Sequence, residues 1–249
     1  MSKKFDNLEK EIEKEELIEN DIPVAESEIF TPETMQMIKE AKEKDQSAFQ
    51  SYWEYDENDI DVWSKKQIDD DPCKQFVTYA ENGHLSEMKI LVKNMNAPEQ
   101  ISKCLSFKDS DGYTALHRAA YSNCLETVKY LLNLEIEKKF SMINQLEART
   151  EMGWTPLHSA VYWNSYKVVE YLLKYSNADC NLKSNSGQTC LHLAAQQSKT
   201  KESLLLILTN PFVNFRLKND QKESAYDIAI RSSKFNALFE ITLPHLNEL

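Results

Sequence analysis

Glycine and proline are sparse, with four and seven in 249 residues, which excludes a collagen-like or generally low-complexity chain. No apolar run approaches the roughly 20 residues needed to cross a bilayer as a helix. The longest aliphatic run is Leu204–Leu208. The N-terminus is charged and has no apolar leader stretch, and no Asn-x-Ser/Thr acceptor occurs. Five cysteines (Cys73, Cys104, Cys124, Cys180 and Cys190) form an odd set without C-x-x-C spacing. That argues for free thiols in a reducing compartment and against a disulfide framework or a zinc site. The expectation is a soluble intracellular chain without a membrane partner.

Basic runs are also missing. The net charge is −11, and it is unevenly placed. Residues 1–70 hold 21 Asp and Glu against 9 Lys, a net of −12, and residues 71–249 hold 19 acids against 20 bases. Neither part offers the positive face that nucleic acid requires, so direct nucleic-acid binding is not expected. Catalytic signatures are absent too. There is no Ser-His-Asp, Cys-His, H-E-x-x-H or P-loop pattern. A calcium loop at Asp56–Ile60 fails, because Ile60 stands where an oxygen ligand is required. No enzyme, cofactor or metal is expected.

What the chain does contain is a repeated unit. Gly153–Leu173 reads GWTPLHSAVYWNSYKVVEYLL, Asp111–Leu132 reads DGYTALHRAAYSNCLETVKYLL and Gly187–Leu208 reads GQTCLHLAAQQSKTKESLLLIL. Each has Thr-x-Leu-His-x-Ala, a polar break and an aliphatic helix. Thr155 can cap a helix and Pro156 suits its first position. Leu157 and Ala160, three apart, share one face. The small Ala160 admits a close second helix carrying Val168, Val169, Leu172 and Leu173. The anchor threonines Thr114, Thr155 and Thr189 are 41 and 34 residues apart, so about seven extra residues fall within Asn133–Met152. Two weaker copies flank these three. Phe76–Leu85 keeps the A-x-N-G-H-L turn, followed by Met88, Leu91 and Val92. Ser224–Ala229 replaces the histidine with Asp227, followed by Leu238, Phe239 and Ile241. One such unit cannot bury its apolar face alone, and the end units of a stack are expected to be atypical.

The T-P-L-H-x-A motif and its period of ~33 residues are the ankyrin signature. The expected fold is all-α, a short solenoid of paired antiparallel helices with β-turn fingers. Residues 71–249 form this domain, with units starting near 74, 114, 155, 189 and 224. Residues 1–70 form an acidic, partly disordered or marginally helical region. Within it, Lys3–Glu19 and Thr31–Lys44 read as helices. Phe49–Trp63 interleaves Tyr52, Trp53, Tyr55 and Trp63 with acids. That pattern fits either a partner-docking tail or aromatic residues packing on the first unit.

His117, His158 and His192 occupy one motif position, so they brace three separate units rather than converge on an ion. His84 falls in an interhelical turn. Asn123 and Asn164 stand where a left-handed backbone is needed.

A stacked repeat offers surface. By register, the turn tips include Asp109, Asp111, Tyr113, Glu151, Trp154, Asn185, Gln188 and Asp220. Exposed first-helix positions are Arg118, Tyr121, Ser122, Ser159, Tyr162, Trp163, Gln196 and Gln197. Interface hot spots favour Trp, Tyr and Arg. Arg118, Tyr121, Trp154, Tyr162 and Trp163 are therefore the expected partner-binding stripe. The alternative is that these aromatics lie across neighbouring units and stabilise the stack.

More specifically, the chain resembles the ankyrin repeat domain-containing protein 49 family. The carrying residues are Asp111–Tyr121, Gly153–Ala160 with Trp163-Asn164, Leu191–Ala195, and Leu217–Ala229 with Phe239-Glu240-Ile241. The resemblance implies a small nuclear or cytosolic protein with an acidic N-terminal part and about four repeats. It also implies a non-enzymatic regulator tied to gene expression, autophagy or germ-cell development. Asn181, eight residues after Leu173, resembles a substrate of the asparaginyl hydroxylase that modifies ankyrin repeats. The expected function is a monomeric protein-binding adaptor. A dedicated chaperone shielding a basic client is the alternative, favoured by the acidic region.

Overall fold

A computed structural model describes residues 63–246, except 96, 138–143, 198 and 233–234. The described residues lie within the unit Asp56–Leu249. The expected helices Lys3–Glu19 and Thr31–Lys44, and Trp53, lie outside the described residues.

Twelve α-helices occur among the described residues. They are α1 Lys65–Asp70, α2 Pro72–Glu81, α3 Leu85–Asn94, α4 Pro98–Ser106, α5 Ala115–Tyr121, α6 Leu125–Glu137, α7 Pro156–Tyr162, α8 Tyr166–Tyr175, α9 Cys190–Gln196, α10 Lys201–Leu208, α11 Ala225–Ser232 and α12 Asn236–Leu246. None is long and apolar enough to cross a membrane. The short helices α2, α5, α7, α9 and α11 stack in chain order as one layer. Their partners α6, α8, α10 and α12 stack as a second. This is an all-α solenoid, and its core is the seam between the layers. Leu116, Leu131, Leu157, Leu172, Leu191 and Leu204 are fully buried there.

Each core unit begins with a finger. The backbone folds back at Asp109–Tyr113, Thr150–Trp154, Ser184–Gln188 and Asn219–Glu223, each closed by a bond from the first N–H to the last carbonyl. Successive fingers are joined edge to edge by Glu151 N–H to Asp111 O, Asn185 N–H to Met152 O and Asp220 N–H to Ser186 O. Gly153 shows why glycine is needed here. Its φ is +75°, and a Cβ would meet the Asn185 backbone nitrogen at 2.7 Å. The matching residue of the last described finger is Lys222, at φ +66°. Among the described residues no further finger packs against it, so a side chain fits. The helix-to-helix turns use Asn123 and Asn164 at φ +57° and +54°.

The signature histidines join these parts. Thr114, Thr155 and Thr189 cap α5, α7 and α9, with the histidine at N3 completing a capping box. The threonine N–H donates to histidine Nδ1 at 3.2 Å in all three units. Nδ1 is therefore the acceptor, and Nε2 carries the proton. Nε2 of His117, His158 and His192 donates to the carbonyls of Trp154, Gln188 and Glu223 at 3.0, 3.3 and 3.2 Å. Each of these carbonyls lies at the base of the next finger. In the last unit Asp227 accepts from Ser224 N–H and Oγ–H at 2.8 and 2.7 Å. A carboxylate serves there because the cap alone is required.

Three features depart from the sequence expectation. Helix α4 was not expected; it packs on α2 and α5 and accounts for the long spacing between the first two units. The insertion within Asn133–Met152 goes partly into α6, which has 13 residues against 10 in α8. Among the described residues that follow, a 3-10 turn lies at Gln145–Glu147, anchored by buried Gln145, whose Nε2 donates to Leu131 O. Of the apolar residues assigned to α12, Leu238 and Phe239 are buried and Ile241 is exposed.

Two predictions follow the histidine and finger geometry. Burial pushes His117 down to about 3 and His158 to about 4, and also lowers His192. The unfolded chain then binds more protons than the folded one below pH 6.5, so stability is full above neutrality and is lost as pH falls. At pH 5 His117 and His158 each remove about 2 kcal/mol. The urea midpoint should drop between pH 7 and pH 5, and a His117→Gln variant should show a shallower drop. A flat profile in the native chain would contradict the neutral-imidazole geometry. For the fingers, Gly153→Ala should lower the unfolding free energy from the same titration by about 2 kcal/mol or more, and Lys222→Gly should raise it by about 1 kcal/mol. Equal effects at the two positions would mean that finger-to-finger contact is not what demands glycine.

Candidate protein-binding surface

Four of the five residues expected to form a binding stripe come together in one line of ring contacts. Trp154, at the base of its finger, touches Tyr162 at the end of α7, with centroids 4.8 Å apart. Tyr162 meets Trp163 edge-on at 5.4 Å, and Trp163 meets Tyr121 of the preceding unit edge-on at 4.7 Å. The line spans the length of α7 and crosses to α5. Such contacts contribute beyond area burial, so these rings also stabilise the stack.

Exposure separates them. Trp154 is 7% exposed, Tyr121 and Tyr162 are half-buried, and Trp163 is 51% exposed. Trp154 was placed by register at a turn tip, but its indole folds back along α7. Trp163 stays open because it is the C-cap of α7, where the chain turns toward α8. Its large apolar ring is held on edge by two neighbours and offers the rest to solvent.

Arg118 is not a surface residue. It is 8% exposed, and its Nε and Nη2 both reach Asp109 Oδ2, at 2.7 and 2.6 Å. Asp111 and Glu81 stand at 3.8 Å, and the guanidinium lies 4.7 Å over the Tyr113 ring. Asp109, also expected at a turn tip, is buried at the foot of its finger. Burial raises its carboxyl, while the Arg118 charge opposes that shift. The pair locks the finger to α5. Ser159, expected on the exposed side of α7, is fully buried.

Asn181 has a structural duty. Its Nδ2 donates to Phe212 O at 2.8 Å, and its Oδ1 accepts from Asn214 N–H at 2.7 Å. It thereby ties its loop to that of the next unit. Asn164 does the same at the other end. Its Oδ1 accepts from Ser203 N–H and Oγ–H, and its Nδ2 donates to Glu202.

Trp63 packs on Phe107 at 6.2 Å under the Lys74 ammonium at 4.9 Å and is buried. It belongs to the folded unit, as the packing alternative held. A ladder of basic side chains was not expected. Lys108 Nζ donates to Arg149 O, Arg149 to Lys183 O and Lys183 Nζ to Lys218 O, at 2.7, 2.6 and 2.7 Å. The signal was present in the sequence, since a base precedes all four fingers. The exposed Met152 at a finger tip was likewise missed. Among the described residues, no group of three His, Cys, Asp or Glu side chains could hold a metal. Each signature histidine uses both ring nitrogens in the bonds given above.

The Arg118 geometry has a direct test. Arg118→Met should cost about 3 kcal/mol, because Asp109 is left charged and unpaired in a buried site. A loss below about 1 kcal/mol in chemical denaturation would mean that the pair is solvated.

Comparison with known proteins bears on these features. The family model for ankyrin repeats in three copies matches residues 58–142 and 80–184. Ankyrin repeat domain-containing protein 49 of Homo sapiens is 38% identical over 177 residues, covering 71% of this chain and 68% of that protein. The Bos taurus and Mus musculus proteins of the same name are 37% and 36% identical, with the same coverage. Repeats of this kind are protein–protein interaction modules. Shared sequence across two thirds of the relatives' length, on a histidine-braced stack of helix pairs, places the chain in the ankyrin-repeat family, among proteins similar to ankyrin repeat domain-containing protein 49.

Proposed function

We propose that the protein is a non-catalytic adaptor that holds a protein partner on the first-helix layer, with Trp163 as the anchor. The observation that supports this reading is a half-exposed indole fixed edge-on between Tyr121 and Tyr162. A large ring with its rotamer already held loses little entropy on binding. Tyr162 and Tyr121 supply the rest of the contact, and Trp154 and Arg118 support it from beneath. The regulated process is gene expression or a signalling complex, with autophagy and germ-cell development as the processes implied by resemblance. We place the monomer in the nucleus or cytoplasm, and we keep Asn181 as a hydroxylation site. There, hydroxylation would act on the loop that Asn181 ties to Asn214.

A second reading rests on a separate observation, the net of −12 in residues 1–70. Such a segment would mask a basic client and speed encounter with it. Because Trp63 is part of the fold, the variant that tests this reading should end its deletion at Val62.

Affinity capture with the full chain, a Trp163→Ala chain and a chain lacking residues 1–62 separates the two. The adaptor reading expects a partner whose Kd rises at least about 30-fold on Trp163→Ala, as for a hot-spot residue, with the circular-dichroism spectrum unchanged. Basic partners lost with residues 1–62, and weakened by salt, would favour the chaperone reading. Full retention by the Trp163→Ala chain would remove the adaptor surface proposed here.

A further inference from the structure

Two buried sulfurs meet at the start of the stack. Cys73 is the second residue of α2, and Cys104 is near the end of α4. Their Sγ atoms are 3.1 Å apart, and the residues are 4% and 1% exposed. Both are free thiols. The two helices pack directly, so the sulfurs are held together by the fold rather than by a flexible loop. The other three cysteines are placed differently. Cys124 Sγ donates to Glu81 O at 3.5 Å. Cys180 and Cys190 are buried, and burial drives the thiols of both upward, that of Cys180 to about 11.

We propose that Cys73 and Cys104 form a redox-active dithiol that oxidises to an intramolecular disulfide, a modification site that ties α4 to α2. The two sulfurs have unequal roles. The sulfur–sulfur contact pulls Cys73 below the usual thiol range and, with burial, pushes Cys104 above it. Cys73 also lies in the first turn of its helix, whose positive dipole end favours a thiolate. Asp71, capping the Cys73 N–H at 2.8 Å, opposes this, and Lys103 beside Cys104 assists it. Its place in the first turn of α2, against the late position of Cys104 in α4, makes Cys73 the attacking sulfur and Cys104 the resolving one.

The oxidant is hydrogen peroxide, a molecule small enough to reach a nearly closed site during local opening. The Cys73 thiolate attacks one peroxide oxygen. An S–O bond forms, the O–O bond breaks, and hydroxide leaves with the second oxygen and takes up a proton as water. Cys104 then attacks the sulfur of the Cys73 sulfenic acid. The S–S bond forms, the S–O bond breaks, and the departing oxygen leaves as water with the Cys104 proton. Two thiols lose two electrons in all, and one peroxide becomes two waters. The loop closed spans residues 73 to 104, so the link fixes α4, the helix additional to the repeating pairs, on the first unit.

The test is peptide mapping of the native full chain after brief peroxide exposure, unfolding and alkylation. Trypsin places the two cysteines in separate peptides, Gln67–Lys74 and Cys104–Lys108. The expected product is these two peptides joined, lighter by two hydrogens, with Cys124, Cys180 and Cys190 alkylated. The same treatment in urea should give mixed pairings, because the fold selects the pair. In a Cys104→Ser chain the joined product should vanish, and no new partner for Cys73 should appear. A native map with both peptides alkylated, a native mixture matching the urea one, or Cys73 joined to another cysteine in the variant would each overturn the proposal.

Discussion

The stack depends on one imidazole bridge, a pair of hydrogen bonds, made three times. A neutral imidazole accepts from the threonine that caps its own helix and donates to the carbonyl at the base of the next finger. This bridge couples a local event, helix capping, to a non-local one, the docking of the following unit. It works only with the proton on Nε2, so it needs both a buried ring and an environment that refuses the charge. The same side chain therefore satisfies orphan backbone groups and sets the register between units. Where no further unit packs among the described residues, the requirement disappears: Asp227 replaces the histidine, and Lys222 replaces the finger glycine.

Stacking and the proposed recognition draw on the same residues. Arg118 belongs to the finger joint, because its charge is neutralised by Asp109 beneath it. Trp154 has become part of the support for Tyr162. Trp163 alone among the five combines a fixed ring with a large open area, and that combination is why it is proposed as the anchor. A surface whose geometry is set by repeat-to-repeat contacts binds without much rearrangement, since the cost of ordering its rings was met on folding.

The first unit differs in kind from the three that follow. It lacks the threonine–histidine pair and instead uses Asp71 as cap, Trp63 as cover and α4 as an extra layer. An end unit must finish an apolar face with residues of its own. Here that finish brings two cysteines from separate helices to adjoining positions.

The all-α class, the capping threonines and histidines of the core units and the left-handed asparagine turns could be read from the sequence. Each is written in residues within a few positions of one another, where helical spacing and turn chemistry act directly. Whether a side chain is exposed could not be read in the same way. Arg118 sits at a helical position that resembles a surface one, and only the fold-back of the finger places Asp109, nine residues earlier, against it. The extra helix α4, the burial of Trp63, the Cys73–Cys104 contact and the turning inward of Trp154 have the same origin. Burial and pairing are fixed by neighbours distant along the chain, and those neighbours are known only once the units have stacked.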